Sequence, residues 1–218
     1  MLSPHFNDRY FSDENGFEES KFVFVSTNKI AEKAAKSNNL IIGELGFGTG
    51  LNLLAVLSEL KETCEISFYS VEKYLLKPAQ IDEILKTQLE DYGDYLEKYE
   101  KLFADIKNGF NSVVWNFGDI KVNFNLYFGD VLDFSQELDT EIDCWFLDGH
   151  SPEKNPEMWS EEVCKLLFEK SKIGTTLATF TAAGFVKQNL RAAGFFVKRQ
   201  KGFGIKHHKL FGEKQKIN

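Results

Sequence analysis

Three features of this chain predict an α/β fold, Rossmann-like, built on a mostly parallel sheet with helices on both faces. From residue 40 onward, short apolar strand segments alternate with helical ones. A glycine-rich turn, Gly43-Glu44-Leu45-Gly46-Phe47-Gly48-Thr49-Gly50, joins the first of these strands to a helix opening at Leu51. The strands that follow keep ending in acids: Glu44, then Glu72, Asp130 and Asp148. With 218 residues, 43% of them hydrophobic and 21 of them phenylalanine, the chain has the length and core material of one domain.

The elements follow in order. Residues 1–38 form an N-terminal extension, in which Phe22-Val23-Phe24-Val25 has the alternation of a short strand. The core, 39–218, has strands expected at Leu40–Leu45, Ile66–Val71, Val122–Phe128, Ile142–Leu147, Thr175–Phe180, Phe195–Lys198 and Ile205–Phe211. Ile142–Leu147 is almost continuously apolar, as for a strand buried on both faces. Helical patterns fall at Leu51–Leu60, Pro78–Leu89, Pro156–Lys170 and Ala183–Ala192. One stretch breaks the alternation. Ser112–Phe117 and Ile120–Leu126 flank Gly118-Asp119 and read as a hairpin, part of an insertion around 90–121.

Composition narrows the function classes. No apolar run is long enough to span a bilayer, and the first residues lack the basic start and apolar stretch of a signal peptide. Cys64, Cys144 and Cys164 stand far apart in no metal-ligand pattern, so no metal is expected and a reducing cytoplasm is. The net charge of −7 disfavours indiscriminate nucleic-acid binding, yet the charge is uneven. Acids crowd residues 82–105, whereas 187–216 carries Lys187, Arg191, Lys198, Arg199, Lys201, Lys206, Lys209, Lys214 and Lys216 against Glu213. Such asymmetry suits a protein that holds a polyanion by one face, and equally a solvated basic C-terminus.

The glycine turn carries the chemistry. Its G-x-G-x-G spacing differs from the G-x-G-x-x-G of dinucleotide folds, and Glu44 stands where a carboxylate would repel phosphate. A cationic nucleoside without phosphate fits that combination, which points to S-adenosylmethionine over a nicotinamide. Gly46, Phe47, Gly48, Thr49, Gly50 and Asn52 are the expected cofactor contacts, with Glu44. Glu72 and Lys73 follow roughly twenty residues on, the interval at which a carboxylate takes ribose hydroxyls in related folds. Asp130 has two readings of equal weight, contact with the adenine amine or capping of the next helix. Asp148, in Phe146-Leu147-Asp148-Gly149-His150, sits where a donor methyl would be presented and can hold a substrate amine and take its proton. His150 has the right pKa range for a base but reads as an exposed loop residue. Met158 and Trp159 read as core contacts. His207 and His208, as strand neighbours, face opposite ways and make no joint metal site.

Taken together, Ser3–Ser12, Gly16–Ser20, Glu44–Asn52, Ser70–Lys73, Trp145–Gly149, Lys154–Ser160 and Ala178–Gly184 resemble the methyltransferase domain of the tRNA 5-methylaminomethyl-2-thiouridine biosynthesis enzyme. The Asn155–Trp159 and Thr179–Gly184 blocks are its most specific part. The resemblance implies a class I S-adenosylmethionine-dependent methyltransferase fold with a seven-stranded sheet. It also implies methyl transfer to the primary amine of 5-aminomethyl-(2-thio)uridine at the tRNA wobble position, with Asp148 as catalytic residue. Lys187, Arg191, Lys198, Arg199, Lys206 and Lys209 are then candidates for phosphate contact. The chain carries no second glycine fingerprint for FAD, so only the last step is expected of it, on a precursor supplied by a separate enzyme. His150 departs from the aromatic residue of many family members. Two other readings are a small-molecule amine N-methyltransferase and a non-catalytic cofactor-binding partner subunit.

Overall fold

The computed structural model describes residues 15–61, 63–204 and 207–216. Ser3–Ser12 and Lys206 therefore lie outside the described residues. The first element among the described residues is α1 (Gly16–Ser20), whose N-cap Asn15 accepts a hydrogen bond from the Glu18 amide, and it runs into a π-helical stretch, Lys21–Ser26. This corrects the strand expected at Phe22–Val25. Val23, Phe24 and Val25 are all buried, so the segment does not alternate between core and solvent as a strand on one face would. Phe24 instead stacks on Phe146 at 5.4 Å.

After α2 (Ile30–Ala34) come β1 (Leu40–Leu45), α3 (Leu51–Glu59), β2 (Cys64–Glu72), α4 (Pro78–Leu85) and α5 (Gly93–Ala104). Next are β3 (Gly109–Phe117), β4 (Ile120–Phe128), α6 (Val131–Glu137) and β5 (Ile142–Leu147). The last third holds α7 (Glu161–Glu169), β6 (Ser171–Thr179), α8 (Gly184–Ala192), β7 (Phe196–Lys201) and β8 (His208–Glu213). The expected helix Pro156–Lys170 is divided. Pro156–Trp159 forms a 3₁₀ turn, Ser160 is extended, and its side chain caps α7 by accepting from the Val163 amide.

The sheet has the order β3-β4-β2-β1-β5-β6-β8-β7. β4, β2, β1, β5 and β6 run parallel, while β8 pairs antiparallel with both β6 and β7. The expected hairpin is present, but its second strand is itself the third parallel strand, and β3 adds an eighth, antiparallel edge. The chain reverses direction across the sheet between β1 and β5, the switch point where such folds open a crevice at their carboxyl ends.

Each sheet face carries its own core. Leu40, Ile42, Phe68, Phe124 and Phe146 pack on one side with the N-terminal helices, α3 and α5. Leu45, Val71, Trp145 and Leu147 pack on the other with α6, α7 and α8. The N-terminal helices are also sewn to the sheet by polar contacts. Lys33 Nζ donates to Asp143 O at 2.9 Å, Thr176 Oγ1 at 2.9 Å and Cys144 Sγ at 3.3 Å. Asn28, fully buried, donates to Phe24 O and accepts from Thr176 Oγ1 at 2.6 Å.

Candidate active site

Side-chain parity along the strands decides which groups meet. Glu44, Ser70 and Asp148 share the parity of Ile42, Phe68 and Phe146, so they point to the face that α3 covers. Strand-end hydrogen bonds fix their heights: Gly46 and Phe47 N donate to Val71 O at 3.1 and 3.0 Å, and Asp148 N donates to Leu45 O at 3.0 Å. The turn then bends back with Gly46, Gly48 and Gly50 at positive φ. Glycine is required at two of them for close approach as well. A Cβ on Gly46 would stand 2.4 Å from the Asp148 carbonyl oxygen, and one on Gly50 would stand 2.0 Å from the Tyr95 hydroxyl oxygen. Tyr95 in turn donates to Thr49 O at 2.7 Å, so α5 supports the turn from below.

Over this turn lies a cavity of about 790 Å³, of the size a nucleoside-bearing ligand needs. Gly46, Phe47, Gly48, Thr49, Asn52, Glu72, Lys73, Asp130 and Asp148, all singled out in the sequence, line it. Gly50 and Glu44 do not. Glu44 is 0 % exposed, placed beside Ser70 by the register and roofed by α3. It accepts from Ser70 Oγ at 2.5 Å and from Asn52 Nδ2 at 2.9 Å, beneath the cavity wall. Burial pushes its carboxyl up to about 8, against the lowering effect of those two hydrogen bonds.

Glu72 accepts the Gly48 amide on one oxygen at 3.0 Å and the Tyr74 amide on the other at 2.9 Å. Asp130 takes the capping reading, accepting the Leu132 amide at 3.0 Å at the start of α6, and it also lines the cavity. Burial alone would raise its carboxyl, but the Leu132 amide and the Lys73 ammonium, 2.9 Å away, outweigh it and hold the group below the usual carboxylate range. Asp148 Oδ2 accepts from Asn52 Nδ2 at 2.6 Å. His150 lines the cavity, its carbonyl taken by Trp159 Nε1 at 3.2 Å. Met158 lines the cavity as well, while Trp159 is buried behind it.

The basic residues are elsewhere. Arg191 on α8 and Lys198 and Arg199 on β7 are exposed, and Lys187 is half-buried. Lys209 is buried, which corrects its assignment to phosphate contact. It is 3 % exposed, donates to Phe22 O at 3.0 Å and to Thr27 Oγ1, and lies 4.2 Å over the Phe22 ring. Desolvation lowers its pKa to about 8.

Glu19, Ser20 and Phe24 from the N-terminal helices and Phe180 beyond β6 also line the cavity, and sequence reasoning had not placed them there. Phe180 lies within the Thr179–Gly184 block, which was available as a signal; Glu19 and Phe24 lie in a segment read as preceding the fold. The residues present fit S-adenosylmethionine. The turn is open to a ligand, Glu72 lines the cavity beside it, and Thr49 Oγ1 and Asn52 Oδ1 are buried polar atoms without a hydrogen-bond partner among the described residues. Among the same residues, no His, Cys, Asp and Glu cluster could hold a metal ion, and no helix is long and apolar enough to cross a membrane.

Comparison with known proteins supplies an independent result. Residues 90–215 match the model of a family described as S-adenosyl-L-methionine-dependent methyltransferase. The tRNA 5-methylaminomethyl-2-thiouridine biosynthesis bifunctional protein MnmC of Pseudomonas fluorescens (strain Pf0-1) is 40% identical over 95% of this chain and 32% of its own length. Its namesake from Ectopseudomonas mendocina (strain ymp) is 42% identical over 97% of this chain and 33% of its own. The chain thus spans about a third of the length of the curated relatives it matches. Among solved structures, MnmC2 from Aquifex aeolicus superposes with a TM-score of 0.78 at 24% identity, covering 99% of this chain and 67% of that one, a likeness of fold.

Proposed function

The chain belongs to the S-adenosyl-L-methionine-dependent methyltransferase family, and from that premise we propose that it methylates the primary amine of 5-aminomethyl-(2-thio)uridine at the wobble position of tRNA. The product is 5-methylaminomethyl-(2-thio)uridine. One observation carries the reading: a carboxylate, Asp148, is held at the wall of the cavity over the glycine turn. The names of relatives at 40% and 42% identity agree with this product.

When bound, S-adenosylmethionine supplies a methyl group on a positively charged sulfur. Gly46–Thr49, Glu72 and Asp130, which line the cavity, are the residues that would hold it. Asp148 does the work on the substrate side. A primary alkylamine is mostly protonated at neutral pH and cannot attack carbon until that proton leaves. Asp148 accepts the ammonium's hydrogen bond, orients the nitrogen, and relays its proton to solvent, returning to the carboxylate. Fixing that nitrogen in line with the reacting carbon accounts for much of the rate. As the new nitrogen–carbon bond forms, the nitrogen becomes cationic again, and the same carboxylate stabilises it.

Arg191, Lys198 and Arg199, with Lys187, are the side chains we assign to the tRNA backbone. We place the protein in the cytoplasm with its substrate, and a separate enzyme that makes the aminomethyl precursor upstream of it. The test is incubation of the chain with labelled S-adenosylmethionine and tRNA bearing the 5-aminomethyl precursor, followed by nucleoside analysis. Label in 5-methylaminomethyl-(2-thio)uridine is the expected result. Absence of label ends the proposal, and equal activity on free nucleoside replaces it with small-molecule N-methylation.

A further inference from the structure

Asn52 sits in the first turn of α3, 3 % exposed, and its amide nitrogen donates to two carboxylates at once: Glu44 Oε1 at 2.9 Å and Asp148 Oδ2 at 2.6 Å. A carboxamide nitrogen has two hydrogens, and both are engaged. Flipping the amide would turn its oxygen against the Asp148 carboxylate at 2.6 Å, so the chemistry fixes its orientation. Glu44 is itself anchored, its second oxygen taking the Ser70 hydroxyl at 2.5 Å. Ser70, Glu44, Asn52 and Asp148 therefore form one hydrogen-bonded chain. It starts on β2, passes beneath the glycine turn at the end of β1, and reaches the cavity at the residue after β5. Of its two carboxylates, Asp148 lines the cavity and Glu44 does not.

We infer that Asn52, anchored by Glu44 and Ser70, is a positioning residue that sets the direction of the Asp148 carboxylate toward the amine. The inference rests on the proposed role of Asp148 and deepens it. Glu44 is then an anchor and not a cofactor ligand. Its other neighbours are consistent with that. The groups acting on it are Ser70, Asn52, Asp148 and Glu72, with no cation among them, so a buried negative charge there would go unpaired. Burial favours the protonated form. A protonated Glu44 still offers an oxygen to Asn52 while donating to Ser70, and leaves the anionic charge of the chain on Asp148. Asn52 carries no proton between the two acids; it holds them apart and in place.

The test combines Asn52→Ala, Asp148→Asn and the double variant, read as single-turnover methyl transfer with enzyme in excess and, separately, as the Kd for S-adenosylmethionine. Asn52→Ala should slow transfer by about 30-fold, the order expected for misplacing a catalytic group. The cofactor Kd should also rise, since Asn52 lines the cavity with its Oδ1, but by less than the rate falls, and in the Asp148→Asn background the same change should slow transfer at saturating S-adenosylmethionine less than about threefold. Glu44→Gln, which preserves the acceptor for Asn52, should retain at least about ten times the rate of Glu44→Leu, which removes it; this pair decides the matter if Asn52→Ala fails to fold. Losses that multiply in the double variant, or a cofactor Kd that rises in step with the lost rate, overturn the positioning role alone. A wild-type rate in Asp148→Asn overturns the proposed role of Asp148 and, with it, this inference.

Discussion

Asp148 and Glu44 are carboxylates of the same sheet face, and their surroundings give them different tasks. For Asp148 the expectation is loss of function without loss of binding. Asp148→Ala should abolish turnover while cofactor affinity, measured by calorimetry, stays within about threefold of wild type, since Glu72 and the glycine turn remain. For Glu44 the expectation concerns stability. Its folded pKa of about 8 lies above the ordinary value of 4.5, so between those pH values the folded chain keeps a proton that the unfolded chain releases. Stability from this group is therefore greatest below pH 4.5 and declines as pH rises through about 8. Glu44→Gln lacks that decline, and its advantage over wild type should grow by about 1–3 kcal/mol, a few degrees in Tm, between pH 5 and pH 9. Thermal unfolding at the two pH values measures it; an advantage independent of pH would mean that Glu44 is ionised throughout. Sequence revealed these acids because each ends a strand, a property of spacing. It did not reveal that Glu44 lies underneath the cavity, because that depends on α3 lying across it, which no local pattern records.

At the scale of elements, the turn between β1 and α3 is the most constrained part of the fold. Gly46→Ala combines a φ of +89° with a Cβ only 2.4 Å from backbone. The backbone at Asp148 has no room to yield, so this variant should lose cofactor binding and about 2 kcal/mol or more of stability, read by denaturant unfolding. A milder expectation applies at α7. Ser160→Ala removes the cap on the Val163 amide and should cost about 1 kcal/mol without changing the cofactor Kd. The parallel strands were legible because buried strands are apolar runs with sharp ends. Phe22–Val25 was misread because its aromatic and β-branched residues imitate a strand, whereas α1 before it supplies the helical start that the chain simply continues. Ser160 was visible as a residue but not as a break, since the apolar spacing runs on across it.

For the whole molecule, the exposed cations on α8 and β7 contrast with the buried Lys209 on the neighbouring strand β8. Neutralising Lys187, Arg191, Lys198 and Arg199 together should flatten the dependence of tRNA affinity on salt, each lost phosphate contact reducing the slope by about one. Lys209→Met should leave that slope alone and lower the unfolding temperature, because Lys209 ties β8 to Phe22 and Thr27. Filter binding across a salt series separates the two, and an unchanged slope in the fourfold variant removes those four residues from the interface. Charge content was readable directly from the chain. Which lysines reach solvent was not, since that is settled by the N-terminal helices folding back over the sheet.

That folding back has a consequence for Cys144. Its thiol is 0 % exposed, raised in pKa by burial, and shut in by Lys33 of α2, whereas Cys164 is enclosed on the opposite side of the sheet. An alkylating reagent can reach Cys144 once the N-terminal helices lift away, yet must wait for disruption of the far layer to reach Cys164. The two thiols thus form a pair of chemical clocks. The ratio of their modification rates, followed by peptide mass spectrometry, times the opening of the helical cover against the loosening of the sheet's other side.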